Sequence, residues 1–300
     1  MSRLSRRRFL IMSAACAALP AVASGAPVAH WRGIALGARA SLDLVGLSEA
    51  EAAPLLSSIE AELNRLEDIF SLYRSRSQIS ELNRSGLLQQ PAPELLNVLS
   101  LCSTLHSASD GAFDPTIQPV WRAMAARASA SELTAAQETV GWHRVRYDAD
   151  AIQLPEPGVS ALTLNGIAQG AITDRIAALL RSFGLRDVLV NMGEIAAMGQ
   201  RGDGQDWRVG LAGHNNQVLK KITLRERSVA TSSVAGTLLP GDHGHILNPF
   251  GPSPSNHTVS VSAPNAALAD GLSTALCAVP KEWTGRILQS FPLASLELSG

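Results

Sequence analysis

The C-terminal part of the sequence places a carboxylate and a hydroxyl four residues apart in an apolar segment. Asp270 and Thr274 lie within residues 266–279, a run that is typical of a buried helix. Residues at positions i and i+4 share one helical face, so the two oxygens lie on the same side. An unpaired buried carboxylate costs on the order of several kcal/mol, and a hard cation such as Mg²⁺ would compensate its charge. A helix N-cap or a buried hydrogen bond is the alternative interpretation of this pair.

Three further segments carry groups that could bind or move charge. Residues 111–116 form a turn in which the following proline holds Asp114 in extended backbone. Residues 164–170 place glycines at a predicted helix start, where backbone groups can approach a phosphate. His243 and His245 lie beside another turn, and either imidazole could move a proton near neutral pH. Each segment also has a purely structural interpretation, as a turn, a helix start or a pair of surface histidines.

The first residues of the chain predict export from the cytoplasm. The sequence Ser-Arg-Arg-Arg-Phe-Leu at residues 5–10 precedes an apolar run over residues 11–19, which is too short to span a bilayer. Small residues at positions 21–23 suit a signal peptidase. We therefore predict a twin-arginine signal peptide over residues 1–23 and a periplasmic mature protein. A lipid anchor at Cys16 is disfavoured, because no large aliphatic residue precedes the cysteine by three positions.

The length of the remaining chain, residues 24–300, allows one large domain or two small ones, and the sequence shows no firm boundary that would divide it. The formal net charge of the 300-residue chain is −1, and 17% of its residues are charged. The mature part has no polybasic tract, so a nucleic-acid-binding protein is excluded. Cys102 and Cys277 are too few for a disulfide framework and lack zinc-ligand spacing, so we expect two separately buried thiols.

Helical and strand patterns alternate along the chain and predict an α+β fold, with mixed sheets packed with helices. Apolar residues at helical spacing predict a helix opened by Pro54, a second helix after Pro93 and a third over residues 172–183. Short apolar runs predict strands over residues 188–190, 207–211 and 259–262. The segments that could do chemistry fall at the ends of these elements.

Six motifs, taken in order, resemble those of the FAD:protein FMN transferase (ApbE) family. The family has a tyrosine after the first long helix, a Gly-x-Phe-Asp-Pro turn, an Asp-Leu-Gly-Gly-Ile-Ala-Lys-Gly loop, an Asn-x-Gly-Gly strand end, a His-Ile-x-Asp-Pro turn and an Ala-Asp-x-x-x-Thr helix. The positions that match are Tyr73, residues 112–114, residues 164–170, residues 191–193, residues 245–249, and Asp270 with Thr274. The resemblance covers about residues 33–280 and implies the flavin transferase fold of that family.

The resemblance implies an Mg²⁺-dependent enzyme that passes the FMN half of FAD to a Ser or Thr hydroxyl of an acceptor protein and releases AMP. It implies a metal site at the Gly166 carbonyl, Asp270 and Thr274, and His245 is the candidate base. The residues that would contact FAD are Tyr73, Ala112, Phe113, Asp114, Thr163, Gln169 and Leu247. Acceptors of the family carry a Ser/Thr-Gly-Ala-Thr motif in membrane-attached redox subunits. His243 has no counterpart in the family and is interpreted as a surface residue.

Several positions depart from the family pattern. Thr163 and Gln169 stand where the family has Asp and Lys, and Glu194 stands where a second glycine is expected. Residues 231–233 read Thr-Ser-Ser in place of Thr-Ser-Gly, and Asn248 replaces an aspartate. These departures leave two hypotheses open besides transfer. One is an FAD pyrophosphatase, in which water replaces the acceptor hydroxyl, and the other is an exported flavin-binding or carrier protein that keeps the pocket without chemistry.

Overall fold

The computed structural model describes residues 16–18, 26–213, 217–251 and 257–300. The helices in these ranges are α1 (Glu49–Phe70), α2 (Gln78–Ser85), α3 (Pro93–Ala108), α4 (Gln118–Ala126), α5 (Ala130–Glu138), α6 (Ala168–Ser182), α7 (Ala266–Cys277) and α8 (Thr284–Gln289). The strands are β1 (Cys16–Ala18), β2 (Val28–Ala35), β3 (Ala38–Val45), β4 (Leu87–Gln89), β5 (Arg146–Tyr147), β6 (Ala151–Gln153), β7 (Val188–Asn191), β8 (Ile195–Met198), β9 (Trp207–Ala212), β10 (Val218–Leu224), β11 (Arg227–Ser233), β12 (Leu238–Leu239), β13 (His243–Gly244), β14 (Thr258–Ala263) and β15 (Ser295–Ser299). The predicted α+β class is confirmed.

A seven-stranded sheet with the strand order β15-β14-β11-β8-β7-β3-β2 lies at the centre of the fold, and its neighbouring strands pair antiparallel. Successive side chains of each strand point to opposite faces. In β7, Val188 and Val190 belong to the main core with the helices, whereas Leu189 packs with Val209 and Leu211 of the β9–β10 hairpin. The sheet is therefore covered on both faces.

The start of α1 differs from the prediction. Ser48 caps the helix, because its hydroxyl accepts the N–H of Glu51 and the Glu51 carboxylate accepts the N–H of Ser48. Pro54 lies in the second turn, so the expectation that it opens the helix is wrong. The capping box fixes the start, and the proline is tolerated close to the helix N-terminus. The helix predicted after Pro93 is confirmed as α3.

Helices α6 and α7 form an antiparallel pair that carries much of the candidate site. Gly170 allows their close approach, since a Cβ there would overlap the carbonyl of Ala266. Asp270 Oδ2 accepts the Gly170 N–H at 3.0 Å, and the carboxylate of Asp174 accepts the first two N–H groups of α7 at 2.7 and 2.8 Å. Because Asp270 satisfies a donor in its first turn, α6 begins at Ala168, earlier than the predicted residue 172.

The expectation of two separately buried thiols is confirmed, and the signal peptide stays a prediction. Cys102 and Cys277 are both buried and free. The predicted signal peptide lies outside the described residues except for β1, whose backbone pairs antiparallel with β9. In the described part of the chain we find no helix with both the length and the hydrophobicity of a transmembrane segment.

Candidate functional site

One cleft brings together ten of the eleven predicted site residues. Helices α6 and α7, strand β11 and two loops at residues 112–117 and 245–247 contribute to its lining. The predicted residues that line it are Ala112, Phe113, Asp114, Thr163, Gly166, Gln169, His245, Leu247, Asp270 and Thr274. Tyr73 lies between α1 and α2, is 56% exposed and does not line the cleft, so its contact with flavin stays a prediction.

The three predicted metal ligands lie close together in this cleft. Asp270 is 4% exposed, and among the residues that the structure describes its carboxylate accepts one hydrogen bond, from Gly170. Thr274 follows one turn later on α7 and packs against the backbone of Gly166. A Cβ at Gly166 would lie 2.9 Å from the Thr274 hydroxyl oxygen, so a larger residue would displace that hydroxyl.

The electrostatic environment of the cleft favours a bound cation. Burial raises the pKa of Asp270 to about 7, although the Gly170 N–H lowers it, and the nearby charge of Asp174 raises it further. Burial and the charge of Asp270 raise the pKa of Glu194 well above its usual range. Among the described residues, no Lys or Arg lines the cleft. When ionised, Asp270 and Glu194 therefore have no Lys or Arg partner among the described residues that line the cleft.

The donor set suits Mg²⁺. A carboxylate, a hydroxyl and a backbone carbonyl are hard oxygen ligands, and Mg²⁺ commonly fills its remaining positions with water and substrate phosphate. Within the described ranges, no three His, Cys, Asp or Glu side chains form a metal-binding cluster. The residues Gly166, Asp270 and Thr274 thus fit a magnesium ion that shares its coordination with a bound phosphate, rather than a fully enclosed metal site.

His245 presents a neutral imidazole to the cleft. Its Nδ1 lies 3.0 Å from the carbonyl oxygen of Thr237, and since a carbonyl can only accept, Nδ1 carries the hydrogen. The other nitrogen, Nε2, is then an acceptor. Burial lowers the pKa of His245, although hydrogen bonds with Thr237 and Val234 oppose this effect. Near pH 7 the ring is therefore able to take a proton.

Asp114 is held by the fold itself. Its Oδ1 accepts the N–H and the hydroxyl of Thr116 at 2.8 and 2.6 Å, and its Oδ2 accepts the N–H of Trp142 at 3.2 Å. His106 Nε2 lies 3.5 Å from the same Oδ2. Burial raises the pKa of Asp114, but the hydrogen bonds with His106 and Thr116 outweigh burial and hold the pKa below its usual range. The carboxylate thus fixes the loop whose residues Ala112 and Phe113 line the cleft.

The ApbE family model matches residues 36–296, which is most of the chain. This chain belongs to the ApbE family. It is 25% identical over 292 residues to the FAD:protein FMN transferase of Salmonella typhimurium, a match that covers 89% of this chain and 83% of that protein. It is 27% identical over 280 residues to the FAD:protein FMN transferase of Treponema pallidum, a match that covers 81% of this chain and 76% of that protein.

Solved structures of ApbE proteins have the same fold. The flavin transferase ApbE from Vibrio cholerae matches with a TM-score of 0.78 and 22% identity, over 90% of this chain and 94% of that chain. The apo form of Pseudomonas stutzeri flavinyl transferase ApbE matches with a TM-score of 0.77 and 25% identity, over 91% of this chain and 92% of that chain. The ApbE-like fold predicted from the sequence motifs is confirmed.

Two departures from the ApbE pattern keep local contacts without charge. The Thr163 hydroxyl accepts the N–H of Asn165 at 3.3 Å, a turn that the family's aspartate could form in the same way. Gln169 is 6% exposed and packs against Gly193, where a Cβ would lie 2.6 Å from the Gln169 amide nitrogen. The substituted side chains still shape the cleft, but neither contributes a charge to it.

Another departure from the family pattern, Asn248, has a structural reason. Its amide nitrogen donates to the carbonyl of Ala278 at 2.9 Å, at the C-terminus of α7. Its amide oxygen accepts the N–H of Phe250 at 2.8 Å. An ionised aspartate at this position would face a carbonyl oxygen and the negative end of a helix, and could not donate. Asparagine therefore ties the turn that follows His245 to the helix that carries Asp270.

Among the lining residues that were not predicted as site residues, Glu194 and Ser232 interact with the proposed metal ligands. Glu194 is 3% exposed, and its Oε2 accepts the N–H of Thr231 at 3.3 Å. Ser232 Oγ lies 2.7 Å from Ser273 Oγ and 3.1 Å from Thr274 Oγ1. The sequence could have indicated Glu194, because it is a single carboxylate between two apolar strands, and a buried carboxylate needs a partner. Ser232 shows no such signal, since its partner lies on a distant helix.

Proposed function

We propose that this enzyme transfers FMN from FAD to a Ser or Thr hydroxyl of an acceptor protein, with Mg²⁺, and releases AMP. The chain is a transferase of the ApbE family, and its curated relatives share the name FAD:protein FMN transferase. One observation carries the proposal. A single cleft without lysine or arginine among its described lining residues combines the oxygen ligands around Asp270 with the neutral imidazole of His245.

In the proposed reaction, the acceptor oxygen forms a bond to the phosphorus on the FMN side of the FAD pyrophosphate. The bond from that phosphorus to the bridging oxygen breaks, and the oxygen leaves with AMP. His245 Nε2 takes the proton of the attacking hydroxyl, as its tautomer and lowered pKa allow. When bound by Gly166, Asp270 and Thr274, Mg²⁺ would neutralise charge on the phosphate oxygens.

The remaining cleft residues would bind and orient FAD. Ala112, Phe113 and Leu247 supply apolar surface, and Thr163 and Gln169 can form hydrogen bonds to the nucleotide without neutralising its charge. Correct placement is a large part of catalysis in phosphoryl transfer, because the protein has little covalent chemistry to perform. Because Gln169 stands in place of the family's lysine, the cleft lacks that positive charge, and compensation of the phosphate charge would depend more strongly on the metal.

We further propose that the mature protein acts in the periplasm on acceptors with a Ser/Thr-Gly-Ala-Thr motif in a membrane-attached redox subunit. The twin-arginine pattern in residues 1–23 supports the compartment. The resemblance to the family supports the acceptor motif.

The proposal is tested by incubating the mature protein with FAD, Mg²⁺ and an acceptor domain that carries the motif. Acceptor mass and free AMP are followed together. We expect the acceptor to gain FMN with an equal amount of AMP, and no gain when alanine replaces the motif's Ser or Thr. AMP and free FMN without a modified acceptor would instead identify a pyrophosphatase. Bound but intact FAD would identify a carrier.

A further inference from the structure

Three hydroxyls form a hydrogen-bonded chain beside the proposed metal site. Ser273 Oγ lies 3.0 Å from the carbonyl oxygen of Asp270, and Ser232 Oγ lies 2.7 Å from Ser273 Oγ. Thr274 Oγ1 completes the chain at 3.1 Å from Ser232 Oγ. Ser232 is on β11 and the two other hydroxyls are on α7, so the chain links strand and helix at the cleft. Ser273 is fully buried.

The direction of hydrogen donation along this chain is fixed at one end. The Asp270 carbonyl can only accept, so Ser273 gives its hydrogen to that oxygen. Each hydroxyl has a single hydrogen, and Ser273 must therefore accept from Ser232. The hydrogen of Ser232 is then used, and in its contact with Thr274 it accepts. Thr274 thus donates to Ser232 and keeps its lone pairs for another group.

On the basis of the metal site in the proposed function, we propose that Ser232 and Ser273 are positioning residues for the metal ligand Thr274. A hydroxyl binds a cation through a lone pair, and a freely rotating hydroxyl spends part of its time pointing its hydrogen at the ion. The hydrogen bond to Ser232 directs the Thr274 hydroxyl hydrogen away from the ion. Donation into a chain of hydrogen bonds also increases the electron density on the donating oxygen, which improves it as a ligand.

The close packing of Thr274 against Gly166 supports this role. The Thr274 hydroxyl lies 2.9 Å from the position that a Cβ of Gly166 would take, and its methyl group lies 2.7 Å from the same position. The Thr274 side chain therefore packs directly against Gly166, and this contact leaves the hydroxyl hydrogen its rotational freedom. Ser232 is the described partner that removes it.

The test is Mn²⁺ binding to the flavin-free full-length protein, followed by electron paramagnetic resonance. Ser232→Ala removes the acceptor for the Thr274 hydrogen, and we expect Mn²⁺ to bind about three- to ten-fold more weakly, as the loss of one orienting hydrogen bond would cause. Ser232→Thr keeps a hydroxyl and should restore most of the affinity. Ser273→Ala frees Ser232 to donate in either direction, so we expect a smaller loss.

A matched control is Ser260→Ala. The Ser260 hydroxyl lies 2.7 Å from Thr231 Oγ1, so this variant removes a buried hydroxyl pair on neighbouring strands without touching Thr274. We expect Mn²⁺ affinity to be unchanged. A loss equal to that of Ser232→Ala would overturn the inference, because any buried Ser→Ala change would then produce it.

The variant Asp270→Ala distinguishes a failure of the proposed metal site from a failure of the proposed role of Ser232 and Ser273. If it weakens Mn²⁺ binding strongly while Ser232→Ala binds like the wild type, the hydroxyl chain has no role and the metal site stands. If Mn²⁺ affinity is unchanged in Asp270→Ala, or if the wild-type protein binds no Mn²⁺, the metal assignment of the proposed function is wrong and the inference falls with it.

Discussion

Two regions of the cleft each bury an aspartate, and the environments of the two side chains are opposite. The Asp114 carboxylate accepts hydrogen bonds from Thr116 in its own loop and from the distant Trp142, and it lies beside His106 of α3, so its pKa lies below the usual range. On α7, Asp270 accepts one hydrogen bond among the described residues, from Gly170, and its pKa is raised to about 7. Burial alone does not identify a metal ligand. A carboxylate with unused lone pairs can bind a cation, whereas a saturated one builds the fold.

The largest expected effect comes from Asp270→Asn. The amide keeps an oxygen for the Gly170 N–H but loses the negative charge, so we expect FMN transfer to fall about 10³-fold, as removal of a key electrostatic group does. The initial rate at which the acceptor gains FMN, compared between variant and wild type, measures this fall.

The same variant should not weaken the metal-free fold. The folded-state pKa of Asp270 lies above its usual value, so the metal-free protein loses stability as pH rises from about 4 through 7, and Asp270→Asn removes that loss. Urea unfolding at pH 8 should therefore show equal or greater stability. A clearly lower free energy of unfolding for Asp270→Asn at pH 8 would show that the Asp270 carboxylate stabilises the fold, as that of Asp114 does.

His245→Gln should slow transfer about 10²-fold while FAD binding changes less, because it removes a general base but keeps a polar side chain. In the wild type, transfer should decline with acidity only below about pH 6.5, since burial lowers the pKa of His245 and the neutral ring is the active form. The variant should lose this step in its pH profile. Equal losses of FAD affinity and of rate would make His245 a pocket residue rather than a base.

Asp114→Asn should act on stability instead. The amide group would face the Trp142 N–H with a donor, and we expect the free energy of unfolding in urea to fall by about 1–3 kcal/mol. Because the folded-state pKa of Asp114 is lowered, its contribution is present above about pH 4 and is lost as pH falls further. The difference between variant and wild type should shrink accordingly at low pH. An unaltered free energy of unfolding at pH 7 would show that the loop does not depend on this carboxylate.

Asp174→Ala should have the smallest effect. It removes the acceptor of two N–H groups at the start of α7, which costs about 1 kcal/mol in typical helix caps. Asn265 still caps the same helix through the N–H of Leu268, so the helix itself should persist. Urea unfolding measures the loss. A loss of transfer as large as that of Asp270→Asn would show that α7 must be held more rigidly than this account assumes.

Local patterns in the sequence predicted much of the fold and the position of the candidate site. Helical spacing placed Asp270 and Thr274 on one face, and α7 bears this out. The resemblance to the ApbE family implied eleven site residues, and ten of them line one cleft. The start of α1 was missed at Pro54, because the capping box was not recognised.

What the sequence could not supply are contacts between distant segments. Asp114 is satisfied by Trp142, which is 28 positions away, and Thr274 is oriented by Ser232, which is 42 positions away. Asp270 was predicted as a metal ligand and Asp114 as an FAD contact, and nothing in the local sequence shows which of the two carboxylates is saturated by hydrogen bonds. Only the packing of the loops and helices separates them.

The Mg²⁺ dependence of FMN transfer, measured side by side in Asp114→Asn and Asp270→Asn, tests the central claim most directly. We expect Asp114→Asn to reach half-maximal rate at the wild-type Mg²⁺ concentration, at a temperature where it is folded. Asp270→Asn should require far more Mg²⁺ or show no saturation. Transfer by Asp270→Asn at the wild-type rate with an unchanged Mg²⁺ requirement would contradict the claim that this carboxylate holds the metal.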